Sequence, residues 1–155
     1  MERKLKKIAY TALLSAAFMF LFVSCSDDTN DFVETAWNVE NFSVTAAQWN
    51  WNSNQGRWEA SRQLDYIDNF IYENGAVIGF VFIGTQDVDE VQASLPYSRS
   101  YLIDDGEGGL INFTETVGFE YSELANRVTF YIESSDSFQD EDAPQNYNFR
   151  IVMIW

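Results

Sequence analysis

The chain has 155 residues, with 24 acidic and nine basic side chains, no histidine and a formal net charge of −15. A surface this acidic repels phosphate backbones, which excludes nucleic-acid binding. The absence of histidine excludes Ser-His-Asp and Cys-His nucleophiles, as well as histidine-ligated zinc sites.

Residues 1–24 have the pattern of an export signal, with a cationic start, an apolar stretch over residues 8–23 and the small residue Ser24 at its end. The alternative is a transmembrane helix, but that needs ~18–20 apolar residues and this stretch is shorter. We therefore expect the mature protein to begin at Cys25. It keeps five arginines and 23 carboxylates, a net charge of −18, and it has no lysine for a Schiff base.

Cys25 is the only cysteine, so the chain has no internal disulfide. The segment Phe22-Val23-Ser24-Cys25 resembles the lipobox of bacterial lipoproteins, in which the cysteine becomes the lipidated N-terminus. This resemblance implies that Cys25 carries the lipid, and several acyl chains attach a protein stably where one chain binds only marginally. The alternative is a free or buried thiol near the start of an exported protein.

The residues after the cysteine, Ser26, Asp27 and Asp28, begin a short polar segment. They resemble the acidic tag of surface-exported lipoproteins of the Bacteroidota, which implies the outer membrane and exposure at the cell surface. The alternative is an ordinary solvated tether of the same composition. In both cases residues 25–34 link the lipid to a folded domain of residues 35–155.

Residues 35–155 show the period-two alternation and the short apolar runs that predict strands. The runs at residues 76–83 and 149–155 are almost wholly apolar, which predicts strands covered on both faces at the centre of the core. Further predicted strands lie at residues 42–46, 57–61 and 127–133, and a hairpin joins residues 99–103 to 110–114 through a loop at 104–109.

One helix is predicted over residues 66–74, with Asp65 as its N-cap and Asn74-Gly75 at its end. It is too short to be stable alone and must pack on a sheet. The apolar positions that share its inner face are Ile67, Phe70 and Ile71. The expected fold is mainly β, a single antiparallel β-sandwich with one short helix.

Three segments of this domain also resemble small Bacteroidota lipoproteins of uncharacterised function. They are "ENGAVIGFVF" at residues 73–82, "SLPYS" at 94–98 and "NFRIVMI" at 148–154. The resemblance implies the same fold and location, and it implies no catalytic residues.

The segment "WNWNSNQGRW" is the strongest candidate for a binding surface. Trp49 and Trp51 are two residues apart and would share a strand face, and Trp58 would join them across a hairpin. Flat indole faces stack on sugar rings, and the intervening asparagines hydrogen-bond hydroxyl groups, so one hypothesis is a glycan platform. The alternative is that the three tryptophans pack within or across the sheet, as such residues usually do.

The acidic loops at residues 87–90, 104–107 and 136–142 contain oxygen ligands for calcium, but none has the spacing of an EF-hand loop. We expect no metal and no cofactor. Paired carboxylates in a cleft would suit glycoside hydrolysis, but a domain this small seldom has a deep cleft, and we expect no enzymatic activity.

The resulting hypothesis is a non-catalytic, lipid-anchored domain at the cell surface that recognises a glycan or a protein partner. The alternative is a structural or assembly subunit of a cell-envelope complex, in which exposed strand edges pair with another chain.

Overall fold

The computed structural model describes residues 36–104 and 106–155. The predicted signal, the lipidation site at Cys25 and the tag lie outside the described residues. The described residues form a 3-10 helix (Ala46–Gln48), one α-helix, α1 (Asn69–Asn74), and the strands β1 (Trp37–Val44), β2 (Asn50–Asn52), β3 (Arg57–Gln63), β4 (Ala76–Ile83), β5 (Val91–Ser94), β6 (Tyr97–Asp104), β7 (Leu110–Ser122), β8 (Arg127–Ser134) and β9 (Tyr147–Ile154).

The strands form two antiparallel sheets. The four-stranded sheet has the order β1-β9-β4-β5, and the five-stranded sheet has the order β2-β3-β8-β7-β6. Alternate residues of each strand point between the sheets, where their apolar side chains are buried against one another. The predicted β-sandwich is therefore confirmed.

The centre of the core is an aromatic stack that joins the two sheets. Phe149 of β9 and Phe130 of β8 are both fully buried, and their ring centroids are 4.0 Å apart with an interplanar angle of 8°. Phe42 of β1 meets Phe130 at 5.6 Å. These contacts cross from one sheet to the other, so they hold the sandwich together.

The prediction that β4 and β9 are covered on both faces is wrong for their outer face. Ile78 of β4 is 40% exposed, and its neighbour Val152 on β9 is only partly buried. Arg150 covers part of this face, because its guanidinium lies 5.0 Å from the centroid of the Phe82 ring. In β4 and β9 the apolar side chains of the inner face are therefore buried, and those of the outer face are only partly covered.

The predicted helix begins too early. Asp68 is the N-cap of α1, since its carboxylate accepts a hydrogen bond from the backbone N–H of Ile71 at 2.8 Å, and Asp65 is not the cap. Phe70 points outward and is 57% exposed, so it does not belong to the packing face. The predicted end is confirmed, and Gly75 is needed there because a Cβ would lie 2.7 Å from the carbonyl oxygen of Ile154.

The two ends of the sandwich differ. At one end, which we call the N-terminal pole, β1 begins, β9 ends and β4 begins, with Trp37, Ile154 and Ala76 in one row. The segment after β3 leads to the same pole, because Gly75, at the end of α1, lies against the carbonyl oxygen of Ile154. The turn between β6 and β7 lies at the opposite end, which we call the distal pole.

Glu40 points between the sheets beside Asn38, and each of the two side chains has a buried oxygen without a partner among the described residues. Burial raises the pKa of Glu40 above its usual value of 4.5, and hydrogen bonds from the backbone at residues 65 and 66 only partly offset this effect. The ionised carboxylate is therefore poorly solvated in the fold.

We expect Glu40→Gln to raise the free energy of unfolding at pH 7 by roughly 1 kcal/mol, because it removes a partly desolvated charge. A carboxyl whose pKa is raised on folding stabilises the fold fully below its unfolded pKa, and that stabilisation is lost as pH rises through the folded pKa. Urea titrations should therefore show the gain at pH 7 and little gain below pH 4.5. A gain that is the same at both pH values would contradict this origin.

Candidate functional site

The structure buries the first tryptophan of the candidate platform. Trp49 is 5% exposed, and its ring packs edge-on against Tyr147 and Phe149. Its indole Nε1 donates to the carbonyl oxygen of Gln145 at 2.9 Å. The indole is thus satisfied within the core and presents no face to a ligand.

The other two tryptophans form a cross-strand pair. Trp51 and Trp58 lie opposite each other on β2 and β3, with ring centroids 5.5 Å apart and an interplanar angle of 66°. Both are half-buried, and Trp58 Nε1 donates to the carbonyl oxygen of Asp140 at 2.8 Å. The three tryptophans are therefore not coplanar, and their geometry is that of the packing alternative.

The asparagines of the same segment lie together on the outer face of the five-stranded sheet. Asn50 and Asn52 alternate with Trp51 along β2, so they point away from the core. They line an open groove of about 510 Å³, which we call the amide groove. Its lining residues are Gln48, Asn50, Trp51, Asn52, Ser53, Asn54, Glu59, Ser61 and Arg62.

Arg57 lies beside this groove on the outer face of β3, and it is only 8% exposed. Its Nε donates to Glu59 Oε1 and its Nη2 donates to Glu120 Oε1, both at 2.7 Å. The guanidinium lies 4.5 Å from the centroid of the Tyr131 ring, and that ring rests against Gly118, where a Cβ would collide with it. Burial lowers the pKa of Arg57, but the bonds to the two carboxylates outweigh it and raise this pKa above its usual value.

The sequence-based hypothesis missed Arg57. Two signals in the sequence point to it: Arg57 and Glu59 are two residues apart and share a strand face, and Gly118 interrupts a strand, which marks a close approach by another group. Neither signal identifies Tyr131 or Glu120 as the partners, because those contacts depend on strand register.

The groove already uses some of its hydrogen-bonding groups internally. Asn52 Nδ2 donates to Glu59 Oε2 at 3.1 Å, and Asn52 Oδ1 accepts from the backbone N–H of Asn54 at 3.1 Å. Arg62 Nη2 donates to Gln48 Oε1 at 2.7 Å. The side-chain amide of Asn54 has no protein partner in the described part of the chain, and side-chain amides both donate and accept, as hydroxyl-rich ligands require.

A second candidate surface is the end of the β6–β7 hairpin, residues 101–113, which we call the hairpin overhang. Tyr97, Arg99 and their partners on β7 face the opposite sheet, and the same face continues as the pairs Tyr101–Phe113 and Ile103–Ile111. Tyr147 is the first residue of β9, so the hairpin extends past the end of that strand. The outer face of the overhang carries Leu102 and Leu110, which are 70% and 67% exposed.

A polar cluster marks the base of the overhang. Arg99 Nη2 donates to Glu115 Oε1 and to Tyr147 Oη, each at 3.1 Å, and Glu115 is buried. Burial and the nearby Glu115 carboxylate raise the pKa of Tyr147 to about 12, against the opposing effect of Arg99. The cluster joins the two sheets and fixes the direction in which the hairpin leaves the sandwich.

Within residues 36–104 and 106–155, no group of three or more histidine, cysteine, aspartate or glutamate side chains is arranged to hold a metal ion. No helix in this part of the chain has the length and apolarity to cross a membrane.

Comparison of the chain with protein families, curated proteins and solved structures gives no match. The amide groove and the hairpin overhang are therefore assigned a role from their own geometry and chemistry.

Proposed function

We propose that the chain is a non-catalytic binding domain, held at the cell surface by a lipid on Cys25, and that the hairpin overhang recognises a protein partner. The lipid and the surface location are supported by Phe22-Val23-Ser24-Cys25 and by the acidic segment after it, which resemble a Bacteroidota outer-membrane lipoprotein. The observation that carries the binding role is the exposed apolar surface of the overhang.

Exposed apolar residues are ordinary when they are scattered, but a contiguous set marks an interaction surface. Five large apolar side chains of the overhang are exposed: Tyr101, Leu102, Ile103, Leu110 and Ile111. On the two paired strands Leu102 and Leu110 lie on one face and Tyr101, Ile103 and Ile111 lie on the other, so the overhang exposes apolar side chains on both of its faces. The overhang lies at the distal pole, away from the end at which the chain enters the domain.

The charge around the overhang indicates the chemistry of the partner. The turn at residues 104–109 carries three carboxylates, and the mature chain has a net charge of −18. We expect a protein surface with an apolar centre and a rim of arginine or lysine side chains, since complementary potentials speed association and reject wrong partners. The same charge opposes pairing between two copies of this chain.

The test is a photo-crosslinking amino acid placed at Leu102 of the full-length protein on intact cells. We expect a discrete protein adduct from this position, because the Leu102 side chain is 70% exposed on the outer face of the overhang. The matched control is the same amino acid at Leu124, a leucine that is 95% exposed in the β7–β8 turn at the other end of the domain. Identical protein adducts from both positions, or none from Leu102, would refute the proposal.

A glycan is the second candidate ligand, and the amide groove is the observation that favours it. Amide, carboxylate and guanidinium groups line a shallow open groove, an arrangement suited to many hydrogen bonds with hydroxyl groups. Trp51 is the one aromatic residue among those that line the groove, and it is half-buried, so affinity would depend mainly on the polar groups.

If the groove binds a neutral polysaccharide, Asn54→Ala should weaken binding about tenfold, a loss of ~1.4 kcal/mol. Calorimetric titration of wild-type and variant protein with a panel of polysaccharides measures this loss. Asn112→Ala is the control, because Asn112 is an exposed asparagine on the overhang, outside the groove. Equal losses for the two variants, or no binding by the wild type, would remove the glycan candidate.

A further inference from the structure

We propose that the N-terminal pole is a membrane-contacting surface, which lies in the headgroup region of the bilayer that holds the anchor. This inference rests on the lipid proposed at Cys25. It adds a second contact with the membrane, made by the folded domain itself, and it sets the domain's orientation.

Exposed aromatic side chains are concentrated at this pole. Six aromatic residues are exposed among those that the structure describes, and four of them belong to the N-terminal pole, with only Tyr101 and Phe138 elsewhere. Trp37 is 69% exposed, the highest value of the four. The four are Trp37, Tyr66, Phe70 and Tyr72.

Contacts between elements show that these residues share one end of the domain. Tyr72 of α1 packs edge-on against Tyr121, near the end of β7, with ring centroids 5.8 Å apart. The backbone N–H of Leu64 donates to the carbonyl oxygen of Asn126, so the β7–β8 turn also lies at this end. That turn adds Leu124, which is 95% exposed.

The chain enters the domain at the same pole. Ala36 pairs with Trp155 through two backbone hydrogen bonds of 2.7 and 2.9 Å, directly beside Trp37. Only the ten residues 26–35 separate Ala36 from Cys25, and even fully extended they span at most ~35 Å. A lipid on Cys25 therefore keeps this pole within about 35 Å of the bilayer surface.

The chemistry of the pole suits a lipid interface. Tryptophan and tyrosine are enriched where a membrane meets water, since one side of each ring is apolar and the other makes hydrogen bonds. Each such contact is weak alone, but the anchor raises the effective concentration of the pole at the bilayer. A surface too weak to bind as a free domain therefore becomes effective when it is tethered.

Charge selects the type of lipid. The residues around the aromatic side chains include four carboxylates, and two arginines, Arg62 and Arg127, lie beside the β7–β8 turn. Anionic headgroups attract basic segments and repel acidic ones, so the pole should favour zwitterionic lipid. The carboxylates are those of Asp65, Asp68, Glu73 and Glu123.

The test uses residues 25–155 coupled through the Cys25 thiol to a maleimide lipid in phosphatidylcholine vesicles with brominated acyl chains. Cys25 is the only cysteine, so coupling is specific and does not depend on whether cells lipidate it. The emission attributable to Trp37 is the difference between wild-type protein and Trp37→Phe. We expect bromine to quench this difference, and we expect less quenching when anionic phosphatidylglycerol replaces part of the phosphatidylcholine.

The matched variants are Phe70→Ser and Phe138→Ser, since both phenylalanines are exposed but only Phe70 lies at the pole. The first should reduce quenching of Trp37, and the second should leave it unchanged. Absence of quenching in the coupled wild type would overturn the inference, and so would a stable dimer that hides Trp37 from lipid. Failure of Cys25 to take up labelled fatty acid in cells is a separate result, which would remove the proposed anchor.

Discussion

We expect Phe149→Ala to lower the free energy of unfolding by about 3–5 kcal/mol. Phe149 is fully buried in the middle of β9, where its ring stacks on Phe130 from the opposite sheet at 4.0 Å. Trp49 packs edge-on against the same ring at 6.3 Å. Removing the ring therefore leaves a cavity between the sheets, with two rigid aromatic neighbours that cannot close over it.

Urea unfolding followed by far-ultraviolet circular dichroism measures this change. Phe138→Ala is the control, because Phe138 is 75% exposed and its loss should change the unfolding free energy by less than about 0.5 kcal/mol. A cost below about 1 kcal/mol for Phe149→Ala would mean that the two sheets do not depend on the Phe130–Phe149 stack. The slope of the transition with urea should stay the same in both variants.

Alternation along the chain predicted the sandwich and at least part of most strands, because most strands have one dry face. It did not predict β5, whose residues are mostly exposed, and it missed the first five residues of β1 and the last eight of β7. The hairpin of residues 99–103 and 110–114 was also predicted, and the structure pairs Ile103 with Ile111 as expected from a short polar loop. Its apolar outer end was not foreseen, since alternation cannot show where the opposing strand stops. The end of the β6–β7 hairpin extends beyond the opposite sheet because β9, the strand that faces it, begins only at Tyr147.

The start of the helix could not be fixed from the sequence, because Asp65 and Asp68 are both good N-caps. The choice depends on which carboxylate reaches a free N–H once the chain has left β3, and Asp68 bonds to Ile71. The tryptophans posed the same kind of problem. Whether Trp49 faces solvent or core depends on the strand opposite, which a local pattern does not reveal.

The second large effect is expected at Arg57. We expect Arg57→Ala to lower the free energy of unfolding by about 2–4 kcal/mol, because it leaves the Glu59 carboxylate without its main counter-charge and uncovers the Tyr131 ring. The value lies below that of a fully buried pair, since the Glu120 side chain is 56% exposed and its bond to Arg57 is screened by water.

Two further variants separate charge from packing at this position. Arg57→Lys keeps the charge but cannot reach both carboxylates with one planar group, so it should recover only part of the loss. In a double-mutant cycle, Arg57→Ala and Glu59→Ala should be coupled by about 1–3 kcal/mol, because each partner depends on the other. Arg127→Ala is the control, since Arg127 is exposed at the start of β8 and its removal should cost less than about 0.5 kcal/mol.

The Arg57→Lys variant also tests whether Arg57 and its partners support ligand binding in the amide groove. Glu59 bonds to Arg57 through one oxygen and to Asn52 through the other, so the guanidinium indirectly holds an amide of the groove in place. If the groove binds a ligand, Arg57→Lys should weaken binding while the protein remains folded, although Arg57 itself does not line the groove. Unchanged affinity in the folded lysine variant would show that Arg57 stabilises the sheet and has no part in recognition.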